Sequence, residues 1–431
     1  MLKHYIELTC ILAILTTISF KATGQADTNL VAAFNQQVIP ITVTPTDTNF
    51  TDLEKLKPFL KDKQVFGLGE ATHGTHEFFA FKHRMLQFLV KENGIKTFVI
   101  EGDFAGTQIM NDYVLYGKGD VNKGLTGIGF GVWMTGEVVD MVNWIRSYNA
   151  VQAPENKVTF WGCDMQWGSS AIANLKDFLN PIGLFTPTME KGLVALNKYV
   201  QSLTKPEKED IRKAVNELMT VSFTGVDSVR AAVYKHDVRE LQQLMEYIDA
   251  KSTFFPAKQS DLRDQFMAEN CEWIYNLNKQ KKMMIWAHNS HINRSSGSDS
   301  FKRMGIFLSK VWSESYYAMG FDFYKGTMRT FDMKQRKNVA VELPVSKVNS
   351  TGAIFAQCQA SNFILDLKSA SADLDIGKFL NSKTQPGSYG SSNTTTPTPH
   401  YIEHKLFDTY DAVIFIRETS AAKDMVTLNK P

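Results

Sequence analysis

Four stretches of the chain place proton-transferring groups directly after short apolar runs. Glu70 and His73 lie in Gly69-Glu70-Ala71-Thr72-His73-Gly74, which follows Val65-Phe66-Gly67-Leu68. Glu101 and Asp103 follow Thr97-Phe98-Val99-Ile100, and Asp164 follows Val158-Thr159-Phe160-Trp161-Gly162-Cys163. His288 and His291 follow Met283-Met284-Ile285-Trp286-Ala287. An imidazole exchanges protons near neutral pH, and a carboxylate beside it fixes its tautomer and stabilises its charged form. Such groups suit the activation of water. Each also has a plainer reading, since a lone histidine after a strand is more often a cap or core residue and a carboxylate can cap a helix. Packing does not explain why they recur at four strand ends.

Absent motifs narrow the chemistry. The chain has no GxSxG elbow for a serine nucleophile, no HExxH, no phosphate-binding P-loop and no GxGxxG after the first strand. That leaves water as the attacking group, either free or bound to a metal ion. Glu70, His73, Glu101 and His288 serve the metal-free scheme, with no cofactor, and equally form a mixed nitrogen–oxygen metal set with an open position. Non-enzymatic haem binding by exposed histidines and aromatics is a further alternative. The loop Gly127-Ile128-Gly129-Phe130-Gly131 lacks dinucleotide-binding spacing and reads as a cleft wall, with Phe130 and Trp133 as candidate substrate contacts. His76 and His83 fall on a helix and read as surface residues.

The elements that position these groups are a series of buried strands separated by helices. Further apolar runs at 317–321 and 412–416 complete the set. Continuous apolar strands with intervening helices predict an α/β fold, a largely parallel sheet covered on both faces. In such a sheet the carboxyl ends share one edge, where ligands bind. The segment from 75 to 92 has helical spacing, with Thr75 as its cap and Asn93-Gly94 closing it. No strand is evident from about 185 to 280, so a helical subdomain is expected between the third and fourth strands, with 185–260 overhanging the cleft. Residues 387–399, rich in Gly, Ser, Thr and Pro, read as a mobile loop.

Residues 1–24 run from Lys3 and His4 through an apolar stretch to small and polar residues, the order of a secretory signal, with residues 25–431 as the mature domain. A periplasmic or secreted location follows as an expectation, with no stable membrane insertion once the signal is removed. The net charge is +2, and acids and bases are interleaved, which points away from nucleic acid as a partner. Cys163, Cys271 and Cys358 form no disulfide or zinc pattern and are expected to be buried and unpaired.

The run Gly69 to Phe78, the strand end Ile100-Glu101 and Ala287-His288-Asn289-Ser290-His291 resemble the erythromycin esterase family. The Trp133/Glu137 stretch and the strand ending at Cys163-Asp164 agree in order and spacing, so the resemblance spans about residues 50–425. It implies a three-layer α/β/α fold with a helical insertion and hydrolysis of the lactone ester of 14-membered macrolides. It places the general base on His73, its partner on Glu70, a second acid on Glu101 and a second histidine on His288, with His291 nearby at the substrate. The helix arginine of the family aligns with Lys82, and Arg84, two residues on, is the candidate taken as the basic catalytic residue, with Lys82 as the alternative. Water attack on the ester then needs an oxyanion stabiliser, supplied by His288 or a basic side chain.

Overall fold

Alternation of side chains between two apolar layers shapes the central strands. In β2 (Val65–Leu68), Phe66 and Leu68 face one core and Val65 the other. In β3 (Thr97–Asp103), Phe98 and Ile100 oppose Val99, and in β4 (Thr159–Asp164) Phe160 opposes Trp161 and Cys163. In β5 (Met283–Trp286), Met284 and Trp286 oppose Met283 and Ile285. The computed structural model describes residues 28–425 apart from 47, 198–201, 252–255, 296–300, 391–395 and 402. The expected signal lies outside that range.

The other strands are β1 (Ile39–Pro40), β6 (Tyr316–Asp332), β7 (Lys337–Leu343), β8 (Asn362–Asp366), β9 (Gly387–Ser388), β10 (His400–Tyr401) and β11 (Ala412–Thr419). The main sheet has nine strands in the order β1-β8-β11-β6-β2-β5-β3-β4, with β7 paired to the far half of β6. The run β11-β6-β2-β5-β3-β4 is parallel, while β1, β8 and β7 each meet their neighbour antiparallel. The sheet is mostly parallel, with helices on both faces.

One face carries α1 (His76–Phe88) and α3 (Gly136–Ala150), with α2 (Gln108–Tyr116) between them in sequence. Every residue of α1 from Phe78 to Phe88 is buried, His83, Lys82 and Arg84 included. His83 is therefore not a surface residue, because α1 is enclosed on all sides rather than lying on the exterior. Burying each phenylalanine of α1 contributes roughly 1.5–3 kcal/mol, which offsets the cost of burying its charged residues only if those are paired. Thr75 occupies the N-cap position, but its hydroxyl makes no capping bond. Gly94 closes the turn that follows α1 at φ 80°.

Between β4 and β5 the described chain is helical from Ser169 onward, earlier than 185: α4 (Ser169–Leu179), α5 (Lys205–Thr220), α6 (Ser228–Asp249) and α7 (Pro256–Leu277). Leu175, Ile211, Leu218 and Leu241 form a third core there. Beyond β5 come α8 (Asn289–Ile292) and α9 (Met304–Trp312). Among the described residues no helix is long and apolar enough to cross a membrane. Cys163, Cys271 and Cys358 are buried and free.

The start of the 387–399 stretch is not a free loop. β9 pairs with β10, and the Tyr389 N–H donates to the Ala71 carbonyl at 2.6 Å, which docks the segment onto the turn bearing His73.

Where α6 meets the turn after β3, three carboxyls are buried with no cation paired to them among the described residues. The Ala105 N–H donates to Glu240 at 3.1 Å, the Gly106 N–H to Asp103 at 2.9 Å, and Gln108 to Asp237 at 2.6 Å. Burial pushes Asp103 up to about 7, and burial with their mutual repulsion pushes Asp237 and Glu240 well above the carboxylate range. Their folded pKa values exceed the unfolded ones near 4, so the native state holds the extra protons. The stability they lend is full below pH about 4 and is lost as pH rises toward 7 and beyond. Denaturant melts between pH 5 and pH 8 are expected to show stability falling with pH. The paired substitution Asp237→Asn, Glu240→Gln should flatten that slope, and an unaltered slope would show that these carboxyls do not titrate there.

Candidate active site

The carboxyl ends of β2, β5, β3 and β4, neighbours in the sheet, deliver the titratable residues to one rim. Asn289 fastens the rim together. Its amide donates to Phe321 O at 2.7 Å, its oxygen accepts from Phe321 N at 2.9 Å, and its own N–H donates to Glu70 O at 2.9 Å. Gly69 has to be glycine because a Cβ there would stand 2.1 Å from the Asn289 oxygen. Gly74, at φ 74°, leaves no room for a Cβ against the Arg329 carbonyl at 2.3 Å. These two glycines let the turn bearing Glu70 and His73 lie flat on its neighbours.

A cavity of about 750 Å³ opens at this rim. His73, Glu101, His288, His291, Trp133 and Phe130 all line it. Among the described residues its lining passes from Gln166 to Arg263, so the insertion reaches it through α7 and no described residue of 185–260 lines it.

His73 and Glu70 form the first cluster. The Nδ1 of His73 is held by Glu70 Oε1, which leaves Nε2 to the cavity. The other oxygen of Glu70 accepts from Lys82 Nζ at 2.6 Å and from Trp286 Nε1 at 3.0 Å. Glu70 and Lys82 are both fully buried. Burial alone would raise Glu70, but the Lys82 and His73 charges outweigh it and hold the carboxyl below its usual range. Burial pushes Lys82 down to about 8 against the pull of Glu70. Trp133 packs edge-on against His73, ring centroids 5.3 Å apart, and its Nε1 donates to Glu101 O at 2.7 Å.

Arg84 is not part of this cluster. Two residues along a helix rotate a side chain by about 200°, so Lys82 and Arg84 point to opposite sides of α1. Lys82 takes the side facing Glu70. Arg84 pairs with Asp52 at 2.6 Å and donates to Asn49 O at 2.9 Å, well away from the rim. The basic residue of the centre is Lys82.

The second cluster surrounds Glu101. Arg263, from α7, donates to Glu101 Oε1 at 2.8 Å and to Asp164 Oδ2 at 2.7 Å. Glu101 Oε2 accepts the His288 N–H at 2.9 Å, and His291 Nε2 lies 3.3 Å from Oε1. Against the upward push of burial, the His291 and Arg263 charges hold Glu101 well below the carboxylate range. His291 Nδ1 meets Asp264 Oδ1 at 2.6 Å. Burial would lower His291, but Asp264 and Glu101 outweigh it and raise the ring to about 9.

His288 behaves oppositely. Its Nε2 faces Tyr389 O at 3.2 Å, and its Nδ1 accepts from the Ser290 N–H at 3.2 Å. Burial, and then the neighbouring His73, lower it to about 3. His288 is a neutral ring, and the cationic groups on this side of the rim are His291 and Arg263.

Sequence reasoning missed Arg263, Asp264 and the Tyr389 carbonyl. Arg263-Asp264 is an acid–base pair inside a polar helix, indistinguishable in sequence from a solvated face. Only the seating of α7 on β4 brings it to the rim.

A metal ion does not fit these residues. The carboxylate oxygens of Glu70 face His73, Lys82 and Trp286, and those of Glu101 face Arg263, His291 and the His288 N–H. A divalent cation would have to displace Lys82, Arg263 and the charged His291, and no group of three or more His, Cys, Asp or Glu among the described residues is arranged to hold one.

Fold and centre define a three-layer α/β protein with a histidine–carboxylate site at the carboxyl edge of its sheet. Residues 90–419 match the family described as erythromycin esterase. The chain belongs to the erythromycin esterase family. It is 26% identical over 328 residues, 67% of this chain and 75% of the relative, to erythromycin esterase type II of Escherichia coli. It is 24% identical over 409 residues to the protein YbfO of Bacillus subtilis (strain 168), covering 85% of this chain and 86% of that one. Among solved structures, a succinoglycan biosynthesis protein superposes with a TM-score of 0.78 at 22% identity, over 94% of this chain and all of the other. The erythromycin esterase mutant EreC H289N in its open conformation superposes with a TM-score of 0.68 at 15% identity, covering 90% and 99%. These superpositions speak for the fold.

Proposed function

We propose that the protein is a metal-independent carboxylic ester hydrolase and that its substrate is the macrolactone of 14-membered macrolides such as erythromycin. The observation that carries the reaction type is His73, held at Nδ1 by a buried carboxylate and turned to a cavity whose other wall holds two cations. His73 Nε2 takes a proton from water as the water oxygen attacks the ester carbonyl. Arg263 and His291 stabilise the charge that develops on the carbonyl oxygen. General-base action contributes about 10²–10⁴-fold, and fixed cations facing the carbonyl oxygen supply much of the rest. The macrolide rests on the relative from Escherichia coli and on a cavity within the usual range for drug-sized ligands.

The test is a panel of erythromycin, simple alkyl and aryl esters and small lactones, followed by mass spectrometry for gain of one water. Erythromycin is expected to open at the same rate with and without a chelator. Loss of activity on chelation would overturn the metal-independent scheme. Cleavage of simple esters with erythromycin left intact would overturn the substrate. A protein that hydrolyses nothing and binds haemin stoichiometrically would overturn both.

A further inference from the structure

The site contains two histidine–carboxylate pairs, and their carboxylates are neutralised differently. His73 faces Glu70, whose second oxygen is already neutralised by Lys82 at 2.6 Å. His291 faces Asp264 at 2.6 Å, and the cation nearest to Asp264 among the described residues besides His291, Arg303, stands farther off at 3.9 Å. Asp264 is fully buried on α7. Its Oδ1 also accepts the Met304 N–H at 2.8 Å, while Oδ2 has no hydrogen-bond partner among the described residues and lies 3.9 Å from Arg303 Nη1. A carboxylate shut away from water and short of donors gains most by keeping a proton on the imidazole it touches.

We infer that Asp264 is the positioning residue that keeps His291 an imidazolium, so that His291 acts as the acid to the base His73. This rests on the proposed ester hydrolysis. Water adds to the carbonyl carbon as His73 Nε2 accepts its proton. The carbon–oxygen bond to the alcohol then breaks, and the leaving alkoxide takes the proton from His291 Nε2. His73 afterwards releases its proton to solvent, and His291 regains one. Products are the acid and the alcohol, with no proton unaccounted for.

The surroundings of His291 set the sign. Asp264 and Glu101 favour the charged ring, with Asp164 behind them. Arg263, whose Nη1 stands 3.3 Å from His291 Nε2, and Arg303 oppose it, but Arg263 is also paired with both Glu101 and Asp164. His288 on the same loop is neutral, as its low pKa of about 3 requires. His73 across the cavity is the remaining titratable neighbour.

The experiment is an NMR titration of ¹⁵N-histidine-labelled protein without substrate, with His291 assigned by its loss in His291→Gln. The wild-type ring is expected to remain charged past pH 8, and Asp264→Asn should lower its proton affinity at least tenfold. In kinetics, Asp264→Asn should cost an alkyl ester at least ten times more kcat than an aryl ester, whose phenolate leaves without an acid, and should shift the alkaline limb to lower pH. In a His291→Gln background Asp264→Asn should add nothing. A wild-type His291 that is neutral at pH 7 overturns the inference even if the variant fails to fold. Equal losses for both esters overturn it too. The titration needs no turnover, so a charged His291 in a protein that cleaves no ester would sink the proposed function and leave the pairing standing.

Discussion

Replacing His73 by asparagine is expected to lower kcat by about 10²–10⁴-fold while leaving the fold intact. Asparagine is chosen because its amide nitrogen falls where Nδ1 was, so the bond to Glu70 Oε1 survives. What disappears is Nε2, the atom turned to the cavity and the only part of the ring that can accept a proton from water. The melting temperature should move little. Glu70 keeps Lys82 and Trp286, and a small polar residue at the cavity wall leaves only a slight gap against the Trp133 edge. KM should change less than kcat, since removing a base affects the transition state more than the bound ester. A steady-state comparison with erythromycin and with an alkyl ester checks this. Near wild-type turnover would exclude His73 as the base, and joint loss of activity and folding would make it a structural residue.

The layout of the sheet was readable in sequence because its strands are short, apolar and spaced by helices. Each of β2, β3, β4 and β5 sits where its apolar run lies, and the residue types after each run marked the functional edge. Period-2 alternation was hidden, because both faces of these strands are buried and both carry large apolar residues. The failures have a common origin. Arg84 and Lys82 are two residues apart in a helix buried on every side, so composition gave no hint which of them faced the centre. His83 looked solvated for the same reason. Arg263 and Asp264 were invisible because a charged pair in a helix carries no mark of the surface it will pack against. His288 and His291 look equivalent in sequence, yet one is ringed by backbone groups and the other by carboxylates. That distinction exists only in three dimensions, and it reverses which ring is charged. The ordered start of the 387–399 stretch was missed because Gly and Ser are as compatible with a two-residue ladder as with a loop.

The burial of Lys82 has a consequence for both stability and pH dependence. Replacing it by methionine keeps an unbranched apolar chain, one atom shorter, in place of the lysine whose ammonium sits 4.5 Å from the Trp286 ring centroid and 5.4 Å from that of Phe321. It strips Glu70 of its cation inside a fully buried pair, and breaking such a pair from one side typically costs about 3–5 kcal/mol. The expected result is a clear drop in melting temperature. A second effect separates a structural from a functional role. With Lys82 present, Glu70 can hold the His73 tautomer without binding a whole proton there, because half of its hydrogen-bonding capacity answers to the ammonium. Without Lys82 the full carboxylate charge faces the imidazole and favours its protonated form, which cannot act as a base. Activity at neutral pH should therefore fall at least tenfold, and the acid limb of the kcat profile should move to higher pH, so that part of the loss is recovered in alkaline buffer. Adding Glu70→Gln removes the stranded charge and should restore much of the stability, while activity stays low at every pH because the ring has lost its carboxylate. An unshifted pH profile in Lys82→Met, with only the melting temperature reduced, would confine Lys82 to the core and detach it from the chemistry.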